Sequence, residues 1–146
     1  MARITIELPE HFPFTTELQI YQGHINEAQH LDNAQLLGLV SEARQRFFTA
    51  LGLTQTRVQD AVGIVIADAA VQYLSEAFYG ETLVFDMRAR DFSRYGCDLV
   101  YRVRDKASGR EVARAKTGIV FFDYATRKVA PIPEVFRERT ADAHTN

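Results

Sequence analysis

Between His30 and Gly52 hydrophobic side chains recur at helical intervals. Leu36, Val40, Ala43, Phe47 and Ala50 step by four, three, four and three, and Leu37, Phe48 and Leu51 widen the stripe. That period belongs to a helix with one buried face. Asp32 or Asn33 can cap its start, because a short side-chain oxygen accepts a bond from a first-turn N–H that has no partner within the helix. Gly52 can end it in the left-handed conformation. No other stretch has this period, and the residues after Gly52 alternate like β-strand. A lone helix of about five turns needs an apolar cradle, which a curled antiparallel sheet provides. The expectation is therefore an α+β domain.

The strands are read from alternation. Residues 14–25 read as a first strand with Leu18 and Ile20 on one face. Residues 62–74 are almost continuously apolar and rich in Val and Ile, which predicts a central strand covered on both faces. Residues 82–92, 97–104 and 110–123 alternate and are joined by short turns, the last an Asp105–Gly109 hairpin loop. They predict an antiparallel meander in a sheet of about five to six strands. Residues 1–13, with Pro9 and Pro13, and residues 137–146 read as irregular ends of one domain over 1–146, the tail draped on the surface. Such a sheet keeps two edges, so a homodimer or homotetramer is expected.

Composition excludes several classes. At 47% hydrophobic and 25% charged the chain is globular rather than disordered. A net charge of -2 gives no general pull toward nucleic acid. Cys97 is the only cysteine, so no internal disulfide and no cysteine metal cluster can form, which favours the cytoplasm. No apolar run approaches the roughly 20 residues of a membrane span. The N-terminus alternates and carries acids, unlike a signal peptide. No metal-ligand spacing, serine elbow or phosphate-cradling glycine loop is present. Glu10-His11-Phe12-Pro13 shares a tripeptide with hotdog dehydratases but lacks the rest of that motif, and is read as chance.

The words at the strand-to-helix junction carry a resemblance. Asn26-Glu-Ala-Gln-His30-Leu-Asp-Asn33 leads through Leu37 into Ser41-Glu-Ala-Arg44. This resembles the hotdog-fold acyl-CoA thioesterases, close to the 4-hydroxybenzoyl-CoA thioesterase group, which read Asp-x-x-Gly-His-Val-Asn-Asn-x-x-Tyr-Leu-x-x-x-Glu-Glu-Ala-Arg. His30, Asn33, Leu37, Glu42, Ala43 and Arg44 fall into that register without a gap. Phe78-Tyr-Gly-Glu81-Thr-Leu83 and Ala113 to Asp123 resemble the family's later strand start and closing strand. The resemblance spans about residues 15 to 135. It implies a hotdog fold, one long helix wrapped by the sheet, and hydrolysis of acyl-CoA-type thioesters at a subunit interface. It implies no cofactor beyond the coenzyme A of the substrate. Two positions depart from it. Asn26 stands where the family has its catalytic aspartate, and Gln29 replaces the glycine before His30. An amide cannot be a carboxylate base, so a non-catalytic acyl- or CoA-binding module and a hotdog hydratase or dehydratase stay open.

Thioester hydrolysis develops negative charge on the carbonyl oxygen, and free N–H groups at a helix start are fixed donors for it. Asn26 can orient water or substrate, or simply shape its turn. His30 can donate or transfer a proton, or bond backbone; His24 is a weaker candidate. Asp32 is the nearest carboxylate but also the natural cap. Glu27, Leu31 and Asn33 lie beside the junction as substrate contacts, and Glu27, with Asp32, is also a first candidate for the carboxylate base. Glu42 points about 150° from the apolar stripe, toward solvent or another subunit. Arg44 lies about 50° from the stripe's centre, and Asp68 stands alone in an apolar strand. Each needs a partner, so the two are expected to meet. An unpaired Asp68 facing the helix start would instead be a general base with a pKa raised by burial. Arg88 and Arg90, with Arg94, Arg102, Arg104, Arg114 and Lys116, can gather on one sheet face to bind CoA phosphate, or remain solvated.

Overall fold

The computed structural model describes residues 2–141. Helix α1 runs Asn33–Ala50. Around it an antiparallel sheet is built from β1 (Phe14–Gln19), β2 (Val62–Tyr73), β3 (Thr82–Arg90), β4 (Gly96–Asp105), β5 (Glu111–Asp123) and β6 (Lys128–Val129). The order is β1-β3-β4-β5-β2, with β6 on β5. A single 3-10 turn at Gln22–His24 ends the first strand earlier than its alternation suggested. The expected meander is β3-β4-β5.

The core lies between α1 and the inner face of the sheet. Leu36, Leu39, Val40, Ala43, Phe47 and Phe48 of α1 meet Phe85, Met87, Leu99, Tyr101, Ala115 and Phe121 there. Each large side chain so buried stabilises the fold by about 1.5–3 kcal/mol. The stripe is turned slightly from the sequence reading: Leu39 is buried, whereas Leu37 and Ala50 are exposed.

Three expectations are corrected. β2 is an edge strand, not a central one. Much of its apolar content is Ala67, Ala69 and Ala70, small side chains that an open edge tolerates, and Ala67 to Ala69 are exposed. The tail does not fray from residue 137. Helix α2 spans Glu134–Ala141 and buries Phe136 completely, 5.7 Å from Phe48 and 5.0 Å from Phe121 between ring centroids. Residues 142–146 lie outside the described part.

The third correction concerns Arg44 and Asp68, which do not meet. Strict alternation would put Asp68 on the side of Ile64 and Ile66, toward α1. The β2–β5 register shifts between Ile66 and Asp68, and this bulge turns Asp68 to the outer face. There its Oδ1 accepts from Lys116 Nζ at 2.8 Å and from the Gly118 amide at 3.0 Å. The Lys116 hydrogen bond, outweighing desolvation, holds the Asp68 carboxyl below the usual range. Buried Arg44 is satisfied within its own neighbourhood, by Gln55 Oε1 at 2.9 Å and Ser41 Oγ at 3.2 Å.

Residues 2–13 carry no helix or strand, yet they are pinned across the outer face. The Ile6 amide donates to Gln72 Oε1, and the Ile6 side chain is buried. Arg114, Arg90 and Arg88 donate to the carbonyls of Ile6, Glu7 and His11. Arg102 and Arg104 bind Asp86, and Arg102 also covers the Phe12 ring. The arginines of this face are thus tied to the chain itself.

Candidate active site

The helix start is assembled by backbone bonds. The Asn26 amide donates to the His30 carbonyl and the Gln29 amide to the Asn26 carbonyl, both at 3.0 Å. Asn26 Oδ1 accepts from the Ala28 amide at 2.9 Å, the local turn bond that suits asparagine. Gln29 takes φ +66°, a left-handed conformation that costs a side chain but not a glycine. The glycine that Gln29 replaces in the resembling family is thereby explained.

The loop is joined to its surroundings at Leu31 and Asp32. The Leu31 amide donates to the Ala77 carbonyl at 2.7 Å, and the Asp32 amide to the His24 carbonyl at 2.8 Å. His24 is a turn residue whose Nδ1 accepts from the Tyr21 amide. Asp32 is the cap: its Oδ2 accepts from the Ala34 and Gln35 amides at 3.0 and 3.2 Å. The Leu36 amide reaches the Asp32 carbonyl. The Asn33 N–H is left without an acceptor among the described residues.

A cleft of about 430 Å³ opens at this point. Its polar rim is Asn26, His30, Asp32, Asn33, Tyr73, Ser75 and Glu76; its apolar wall is Leu31, Leu36, Leu74, Ala77 and Val112. The structure therefore brings together Asn26, His30, Leu31, Asp32 and Asn33 as the sequence suggested. Glu27 is exposed on the turn and does not line the cleft. Asp68, Arg88 and Arg90 lie elsewhere, on the outer sheet face. Glu42 is exposed and pairs with Arg46 at 3.0 Å.

Sequence reasoning missed Tyr73, Ser75 and Glu76, which close the cleft from the end of β2. Tyr73 donates its hydroxyl to the Asn33 carbonyl at 2.9 Å. Burial, and then the nearby Asp32 charge, push its phenol up. Arg110 holds the segment after β2, donating to Ser75 Oγ, the Glu76 carbonyl and the Glu81 carboxylate. The only signal in the sequence was a carboxylate placed just past an apolar strand. His30 Nδ1 lies 3.2 Å from the Leu31 carbonyl, and its Nε2 faces Glu76 Oε1 at 4.0 Å.

Chemically the site offers a free backbone donor, an imidazole, a primary amide and carboxylates around an apolar slot. Among the described residues, no group of three or more His, Cys, Asp or Glu could hold a metal ion, and no helix is long and apolar enough to cross a membrane. Cys97 lies in the core, where burial pushes its thiol up to about 12.

Comparison with known proteins agrees with this architecture. The family model described as the thioesterase-like superfamily matches residues 21–140. A search of curated protein sequences finds no match. Among solved structures, the 1,4-dihydroxy-2-naphthoyl-CoA thioesterase of Synechocystis superposes with a TM-score of 0.80 at 23% identity, covering 88% of this chain and 96% of that one. A Staphylococcus aureus protein solved in complex with CoA gives 0.83 at 19% identity, covering 97% and 89%. A gentisyl-coenzyme A thioesterase gives 0.76 at 18% identity, covering 87% and 99%. At these identities the likeness establishes the hotdog fold.

Proposed function

Because the chain belongs to the thioesterase-like superfamily, matched over residues 21–140, we propose that it hydrolyses acyl-CoA-type thioesters to free acid and thiol in the cleft at the start of α1. The observation that carries this is the Asn33 N–H, without an acceptor among the described residues, at the mouth of an apolar slot. In a low-dielectric cleft such a fixed donor stabilises the oxyanion of a tetrahedral intermediate without reorganisation. The helix dipole adds to it.

The acyl group lies against Leu31, Leu36, Leu74 and Val112. Asn26, whose carbonyl oxygen is engaged in the turn, keeps its amide NH2 to orient water or substrate. His30 stands at the edge of the slot, and Asp32 holds the helix start in shape. The chain acts as one hotdog domain in the cytoplasm and uses no cofactor of its own. Coenzyme A arrives as part of the substrate.

A second copy completes the site. β2 is a long edge with exposed Ile66, Tyr73 and Leu74, and its end borders the cleft. A homodimer pairing along this edge would cover that surface and wall the cleft.

The test is thiol release from a panel of acyl-CoAs. Saturable release of CoA from at least one supports the reading. Saturable CoA binding with no release from any thioester favours a binding module, for which the loss of the carboxylate at Asn26 is the specific argument. Water addition to an enoyl-CoA favours the hydratase.

A further inference from the structure

We propose that Glu76 is the catalytic carboxylate of this cleft, acting as the general base that the amide at Asn26 cannot be. The inference rests on the thioesterase reading above and names the residue that performs its proton transfer.

Each other carboxylate of the neighbourhood is engaged or turned away. Asp32 holds two helix amides through Oδ2. Glu81 is bound by Arg110, and Glu111 by Arg114. Glu27 does not line the cleft, and Asp68 is turned to the outer face by the β2 bulge. Glu76 lines the cleft, and its carboxylate has no hydrogen bond within the described protein. In the single subunit its side chain is 65% exposed.

Its backbone, by contrast, is held. The Glu76 carbonyl accepts from Arg110 Nη2 at 3.0 Å, and the next residue is tied to the helix-start loop by the Leu31–Ala77 bond. The carboxylate therefore stands across the slot from His30. With Nδ1 set toward the Leu31 carbonyl, the His30 ring presents Nε2 to Glu76 at 4.0 Å. A water resting on this pair bonds both groups at ordinary distances. That places a base, an orienting ring and an oxyanion donor around one slot.

In the hydrolytic step Glu76 takes a proton from water as the water oxygen bonds to the thioester carbon. The carbonyl electron pair moves to the oxygen facing the Asn33 N–H. When the carbonyl re-forms, the C–S bond breaks and its electron pair leaves on sulfur. The proton held by Glu76 passes to sulfur, giving the thiol and restoring the carboxylate. The acid product loses its own proton to solvent.

The experiment uses the full chain with the best acyl-CoA of the panel, and CoA itself as the binding probe. Glu76→Gln is expected to lower kcat about 10²–10⁴-fold with KM and CoA binding unchanged. The acid limb of the wild-type kcat–pH profile is expected to vanish in it. In Glu76→Ala, added formate is expected to restore part of the lost rate. An undiminished kcat in Glu76→Gln, or a loss carried wholly in KM, overturns Glu76 as the base while leaving hydrolysis standing. A wild-type chain that turns over no thioester overturns the hydrolase reading and this inference together.

Discussion

The Leu31 N–H donates to the Ala77 carbonyl at 2.7 Å, joining the loop before α1 to the segment after β2. Through this bond two stretches remote in sequence become the two lips of one cleft. His30 sits beside one end of the bond and Glu76 beside the other, so the backbone positions that carry the two side chains are held next to each other.

Gln29 holds a left-handed conformation on the first lip. Gln29→Gly removes that steric cost, offset in part by the greater freedom of glycine when unfolded. The variant is expected to be more stable, by up to about 1 kcal/mol, in urea unfolding, with the helix start unchanged.

Asp86 lies buried on the outer face, 5% exposed, and receives bonds from Thr15, Arg102 and Arg104. Burial raises its pKa, but the bonds from Arg104, Thr15 and Arg102 together outweigh this and hold it below the ordinary 3.8. A depressed folded pKa contributes stability above the unfolded value and loses it as pH falls through the folded one. Asp86→Asn is expected to cost about 2 kcal/mol at neutral pH, since both arginines can still reach water. The gap from wild type should close on acidification below 3.8, as read by unfolding at a series of pH values.

Phe136 anchors α2 in an aromatic group with Phe48 and Phe121. Phe136→Ala leaves a cavity under the helix. It is expected to cost about 3 kcal/mol, lowering Tm by about 10 °C.

Ile66 is 43% exposed on the open edge of β2. A lysine there blunts strand pairing. Ile66→Lys is expected to shift a dimer toward monomer in sedimentation, by about tenfold or more in dissociation constant, while the subunit's own melting changes little.

The helix, the meander and the first lip of the cleft were legible because each is local. Periodicity placed Leu36 through Phe48, and short-range capping chemistry placed Asp32. What escaped depends on distant pairing. The bulge before Asp68 reversed its face, so the expected partnership with Arg44 failed and each found other partners. The apolar run of β2 suggested a covered strand because sequence does not tell a neighbour in the same sheet from an open edge lined with alanine. Phe136 was missed because one aromatic in a charged tail has no period. Glu76 was missed because only the Leu31–Ala77 bond makes it a neighbour of His30.

The proposed hydrolysis depends on oxyanion stabilisation by the Asn33 N–H, which has no acceptor among the described residues. Asn33→Pro tests it directly. Proline suits the first helical position, and Asp32 already has the extended geometry, φ -69° and ψ 140°, that a proline after it requires. The substitution deletes this one donor and leaves the cap in place. Asn33→Ala, measured alongside, accounts for the lost side chain. In Asn33→Pro, kcat for acyl-CoA hydrolysis is expected to fall about 10²–10³-fold further than in Asn33→Ala, with far-UV circular dichroism unchanged. Equal kcat in the two variants, both folded, would contradict it.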